Sequence, residues 1–160
     1  MTPVNPKVLE SLAWGISAEV KAYVFYKEAA RVVKSAEFKD TLLNLAAEEK
    51  SHYWVLERQH HSLIKSEQWV SYNDILKQEG LPDISEEMAA KHKEMIDAVR
   101  NAENERQILD IAYELEKKSN EVYTEAAGRA TASEEKKTFE YLANFEKGHM
   151  RLIQKMIDSL

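Results

Sequence analysis

The stretch Glu49-Lys50-Ser51-His52 recurs as Glu146-Lys147-Gly148-His149, and the flanking segments align over residues 17–52 and 114–149 at a constant offset of 97. Identities along that alignment include Glu19 with Glu116, Tyr26 with Tyr123, Glu28-Ala29-Ala30 with Glu125-Ala126-Ala127, and Leu45-Ala46 with Leu142-Ala143. Around each copy the apolar residues step by three and four. Leu42, Leu45, Glu49, His52 and Leu56 follow this rhythm, as do Phe139, Leu142, Glu146, His149, Ile153 and Met156. That is the inward seam of a helix, with polar side chains at its centre. On the partner helix Ala112, Glu116, Ser119, Tyr123 and Ala126 keep the same spacing. The repeat is therefore one helical hairpin used twice, which makes an all-α, antiparallel four-helix bundle.

Working outward, the first helix is expected over about residues 6–33, with Pro6 in its first turn, where a missing N–H costs nothing. After a break at Lys34-Ser35-Ala36-Glu37, the second helix is expected over about 37–65. The second hairpin spans about 104–158: a third helix over 104–127 closed by Gly128 in a left-handed cap, then a fourth with Ser133 as N-cap. Residues 66–103 then form a long crossover, needed because two hairpins about a pseudo-twofold axis leave the second and third helices parallel. Within it, Gly80-Leu81-Pro82-Asp83 signals a turn and Ser85-Glu86-Glu87-Met88 starts a short helix through about Val99. The whole of residues 1–160 reads as one domain.

In each hairpin the first-helix and second-helix Glu lie 30 residues apart, with the turn at their midpoint, so Glu19 and Glu49 reach one level, as do Glu116 and Glu146. His52 and His149 follow Glu49 and Glu146 by three positions, a spacing that makes surface neighbours on a helix. Four carboxylates in a bundle core would repel and lose hydration. Two divalent cations balance their charge, and two neutral imidazoles complete the shell. One Glu from each of two helices plus Glu-x-x-His from each of the other two is the established arrangement of di-iron and di-manganese bundles. By chance, about 0.7 Glu-x-x-His matches are expected at this composition; three occur, but only two stand in register with paired Glu residues. The third, Glu57 to His60, is assigned to a solvated face, and Glu48, which aligns with Phe145, is given no role. Trp14, Trp54 and Trp69 are read as packing residues.

Composition narrows the alternatives. There is no Cys among the 160 residues, which excludes disulfides, thiolate catalysis, iron–sulfur clusters and Cys-based zinc sites. A net charge of −6 with no basic stripe argues against nucleic acid as a partner. No apolar run approaches a membrane span, and residues 1–6 lack signal-peptide character, so a cytoplasmic location is expected.

At these residues the chain resembles the ferritin-like superfamily, most closely the di-iron domain of the rubrerythrins, over nearly its whole length. Glu19 with Tyr26, the two Glu-x-x-His motifs, and Glu114-Leu115-Glu116-Lys117-Lys118-Ser119 with Val122-Tyr123 carry the likeness. The resemblance implies two iron ions, with manganese or zinc as substitutes. Glu49 and Glu146 would bridge them, Glu19, Glu116, His52 and His149 would be terminal ligands, and Tyr26 and Tyr123 would orient carboxylates. It implies an oxidoreductase that meets hydrogen peroxide or dioxygen in oxidative-stress or iron metabolism, working as a homodimer or larger homo-oligomer. With no Cys-bearing rubredoxin domain, an external electron donor is required. Ser119 stands where the family carries a further Glu associated with peroxidase chemistry, so that chemistry is not implied here. A ferroxidase of the iron-storage class and a non-catalytic metal-binding scaffold are the alternatives.

Overall fold

Two helical hairpins, each closed by a short link, set the frame in the computed structural model, which describes residues 4–79 and 83–160. Helices α1 (Pro6–Val32) and α2 (Ala36–Ser66) form the first hairpin, and α6 (Glu105–Arg129) and α7 (Ser133–Asp158) the second. Three short helices, α3 (Tyr72–Leu76), α4 (Glu86–Ala90) and α5 (Lys93–Arg100), occupy the crossover.

Local chemistry sets most of the helix ends. Asn5 Oδ1 accepts from the Lys7 N–H at 3.0 Å with Pro6 just inside the helix, and Ser35 Oγ accepts from the Phe38 N–H at 3.2 Å. Asn104 Oδ1 accepts from the Gln107 N–H at 2.9 Å to start α6. These caps satisfy N–H groups that a helix start leaves without partners.

Three expectations are corrected. Gly128 does not cap α6 in a left-handed turn; the helix runs on to Arg129 and Ala130 ends it in an extended conformation. Ser133 is the first residue of α7 rather than its cap, and the Glu135 carboxylate accepts instead from the N–H groups of Thr131 and Ala132. The carboxylate thus ties down the chain just before the helix, and no side chain caps the N–H groups of its first turn. The single short helix from Ser85 is two, α4 and α5, and α3 precedes them. The turn expected at Gly80-Leu81-Pro82 lies outside the described residues.

The pairing registers show how the helices run. Along α1 and α6, Ser11 meets Arg129, Glu19 meets Tyr123, Tyr26 meets Glu116 and Lys34 meets Glu105, so numbers rise on one helix as they fall on the other. His52 with Glu146 and Gln59 with Thr138 give the same sense for α2 and α7. Both cross-hairpin pairs are antiparallel, so α2 and α6 are parallel and the crossover is obligatory. It packs on α1, where Val20 and Val24 meet Ile84, Met88 and Ile96. Gln59 ties its start to α2 through the Val70 backbone, its Oε1 accepting from the N–H at 2.9 Å.

Two apolar clusters fill the bundle. One holds Phe25, Leu42, Leu45, Leu109 and Ile153; the other holds Leu12, Leu56, Leu63, Phe139 and Leu142. Each such side chain contributes roughly 1.5–3 kcal/mol when fully buried. Together they offset a polar layer between them whose ionised groups cost several kcal/mol each.

Candidate metal centre

The polar layer is the set of six residues. Helix α1 supplies Glu19, α2 supplies Glu49 and His52, α6 supplies Glu116, and α7 supplies Glu146 and His149. None is more than 4% exposed. Their donor atoms form two overlapping groups, Glu19, Glu49, His52 and Glu146 in one and Glu49, Glu116, Glu146 and His149 in the other, each with its atoms within 4.8 Å of one another. Glu49 and Glu146 belong to both.

The contacts come in pairs related by the repeat. His52 Nδ1 lies 2.9 Å from Glu146 Oε1, and His149 Nδ1 lies 2.9 Å from Glu49 Oε1. His52 Nδ1 is 3.6 Å from Glu19 Oε2, and His149 Nδ1 is 3.4 Å from Glu116 Oε2. The Tyr123 hydroxyl donates to Glu19 Oε1 at 2.7 Å, and the Tyr26 hydroxyl donates to Glu116 Oε1. Both tyrosines are fully buried, one in each apolar cluster, so they cap the polar layer from opposite ends.

Glu19 Oε2, Glu49 Oε1, Glu116 Oε2, Glu146 Oε2 and His149 Nδ1 are buried without a hydrogen-bond partner. Such atoms are rare singly, and each costs about 1–3 kcal/mol. Five converging on one space, four of them carboxylate oxygens, fit a site for cations. An oxygen-rich set with two imidazoles and no thiolate suits iron or manganese as well as zinc.

In the metal-free protein, protons do the neutralising. Burial pushes the Glu49 carboxyl well above its usual range, helped by the Glu146 and Glu19 charges. Burial acts the same way on Glu146, but the close approach of His149 and His52 overcomes it and holds this carboxyl low. Burial alone would lower both imidazoles. For His52 the Glu19 charge and the Glu146 contact win, taking it to about 9. For His149 the contacts with Glu146, Glu48 and Glu49 take it to about 12. Burial and the neighbouring carboxylates push both tyrosines well above 10, so their hydroxyls remain protonated donors.

Glu48 is the residue that sequence reasoning missed. Its carboxylate binds His149 Nε2, the ring nitrogen facing away from the cluster, at 2.5 Å. Its repeat counterpart is Phe145, which carries no charge, so the repeat gives no sign of it. The Phe145 ring packs at a steep angle against His52, at 4.8 Å between centroids, and against His149, at 5.7 Å. Beside Glu48 a groove of about 790 Å³ opens on the α7 side, lined by Tyr72, Tyr141, Phe145, Gly148 and His149 among others. Gly15 was missed too. A Cβ there would lie 2.9 Å from Leu56 Cδ1 and 3.1 Å from the Tyr123 hydroxyl, so its lack of a side chain makes room for that tyrosine.

Glu57 and His60 stay outside the cluster, half-buried rather than fully solvated, with Glu57 paired to Arg58 at 3.2 Å. The tryptophan expectation holds for Trp14, edge-on to Tyr123, and for Trp69, edge-on to Phe139. Among the described residues, no helix is long and apolar enough to cross a membrane.

Two likenesses place the chain among known proteins. The family model described as Rubrerythrin matches residues 10–157. A solved structure of a hypothetical protein from Pyrococcus furiosus shares the fold with a TM-score of 0.69 at 22% identity, over 94% of this chain and 88% of that one. No curated protein matches the chain.

Proposed function

The chain belongs to the rubrerythrin family, and from that premise we propose that it is a di-iron carboxylate oxidoreductase reacting with hydrogen peroxide or dioxygen. The observation that carries this reading is the sharing of Glu49 and Glu146 between both four-residue groups. Glu49 and Glu146 would be the ligands common to two metal ions held there. Glu19 and His52 would complete one position, and Glu116 and His149 the other. Two bound irons supply two one-electron changes, together the two electrons that, with two protons, take hydrogen peroxide to water.

The protein's own part is preparation. Tyr26 and Tyr123 each hold one oxygen of a terminal carboxylate, leaving the second free to face the metal. The two apolar clusters exclude bulk water above and below. The groove along Glu48 and His149 offers a small oxidant a route to the layer. Electrons would return from an external donor, because without Cys these residues cannot hold an iron–sulfur relay.

Anaerobic titration of the metal-free protein with Fe(II) tests the binuclear reading. Two tight sites per chain are expected, both lost in Glu49→Ala/Glu146→Ala. Stopped-flow mixing of the loaded protein with each oxidant then tests the chemistry. No tight binding would reject the centre, and no metal-centred oxidation by either oxidant would reject the oxidoreductase. The storage reading requires a closed shell of many subunits, so a solution mass near a monomer or dimer would remove it.

A further inference from the structure

The two halves of the centre match in every contact that faces the shared space, and differ one layer out. His149 Nε2 is bound by the Glu48 carboxylate. His52 Nε2, its counterpart, is buried without a partner, and the residue that aligns with Glu48 is Phe145, whose ring packs against His52 at 4.8 Å between centroids. Both imidazoles aim Nδ1 at the carboxylates.

We propose that Glu48 is a positioning residue that makes the two metal positions unequal, fixing His149 for the tighter one and leaving the weaker one to His52. This rests on the binuclear reading above. A neutral imidazole can give a metal only the nitrogen that carries no proton. By accepting from Nε2–H, Glu48 selects the tautomer whose Nδ1 lone pair faces the cluster. It also holds the ring in plane and feeds negative charge into it, which strengthens the donor. Nothing equivalent acts on His52, whose distal nitrogen is buried without a hydrogen-bond partner.

The size of the effect follows from exposure. Partners of metal-bound histidines are worth roughly 10–100-fold in metal affinity. The Glu48 side chain is 46% exposed at the rim of the groove, where water weakens its charge, so the lower end of that range is expected.

The test is stepwise titration of the full metal-free chain with Co(II), whose visible bands report each position as it fills. Wild type should take up two ions in two separable steps. In Glu48→Ala the tighter step should weaken by about 10-fold or more, with the weaker step unchanged within about 2-fold. Glu48→Gln, which keeps an acceptor without the charge, should fall between. Both steps weakening alike, or neither moving, in a variant of unchanged helicity would overturn the role of Glu48 and leave the binuclear centre standing. Failure of wild type to bind Co(II) would instead overturn the binuclear reading and this proposal with it. A second readout needs no metal: the ring proton on His149 Nε2 should be downfield and slow to exchange in wild type, and lost in Glu48→Ala while His52 is unaffected. Equal changes at the two histidines would overturn the proposal.

Discussion

The first hairpin and the second supply the same inner ring but different surroundings. Glu19, Tyr26, Glu49 and His52 on one side face Glu116, Tyr123, Glu146 and His149 on the other, with every cross-contact duplicated. Just behind this ring the match ends: Glu48 stands opposite Phe145, and Gly15 opposite Ala112. Glu49 and Glu146 belong to both groups of donors, so a change in either of these two would be felt by both metal positions. The outer residues are not paired in this way: Glu48 binds His149, whereas Phe145 packs against both His52 and His149.

The largest expected effect separates shared from unshared ligands. Glu49→Ala or Glu146→Ala should each weaken both metal-uptake steps, because each carboxylate belongs to both groups. His149→Ala and His52→Ala should each weaken mainly one step, by roughly 100-fold or more given that even indirect partners are worth 10–100-fold. Stepwise calorimetry on the four variants measures this, and bridging Glu residues that affect a single step would break the symmetry.

Tyr26→Phe and Tyr123→Phe should come next. Each leaves a buried Glu oxygen without its donor, at a cost of about 1–3 kcal/mol in the metal-free protein. The two losses should be nearly equal in denaturant unfolding; a large difference would mean that the halves are unequal at the inner ring as well.

Stability of the metal-free protein should also depend on pH. His52 is raised from 6.5 to about 9 and His149 to about 12, so the stability their protons supply is complete below about 6.5. It is lost first as pH rises through about 9. Glu49, also raised, acts in the same direction from a lower starting pH. The melting midpoint of the metal-free protein should therefore fall between pH 6.5 and 9. The metal-loaded protein, whose imidazoles are already neutral, should not follow it. Metal binding should release protons over the same window. A flat profile for the metal-free protein would mean that the imidazoles are not the groups neutralising the layer.

The smallest effect tests the outer mismatch. Gly15→Ala gains about 0.5–1 kcal/mol of helix propensity but forces a methyl against Leu56 and the Tyr123 hydroxyl, a clash of about 1–3 kcal/mol. A net loss of about 1 kcal/mol is expected, and a gain would show that Tyr123 has room to move.

The ring of six was legible because the repeat put identical donors at identical helical spacing, and spacing by three and four settles which face they share. Glu48 was not legible by the same logic. Its partner lies 101 residues away on another helix, and its repeat counterpart carries no charge. Gly128 misled for a related reason: a glycine near a helix end suggests a left-handed cap, but here nothing lies within 4 Å of where its Cβ would be and the helix continues past it. The one left-handed non-glycine residue among those described is Glu67, at φ 56°, where α2 gives way to the crossover.

Periodicity and the duplicated motif by themselves determined the helical class, the hairpin repeat and the convergence of the six side chains, because those follow from helix geometry and the length of a turn. Only the tertiary structure decided the packing of the crossover on α1, the placing of Tyr26 and Tyr123 at opposite ends of the layer, and the inequality between Glu48 and Phe145. Those depend on which faces of distant helices meet and in what register. Local spacing constrains each helix, but contact between helices is set by the packing of the whole core.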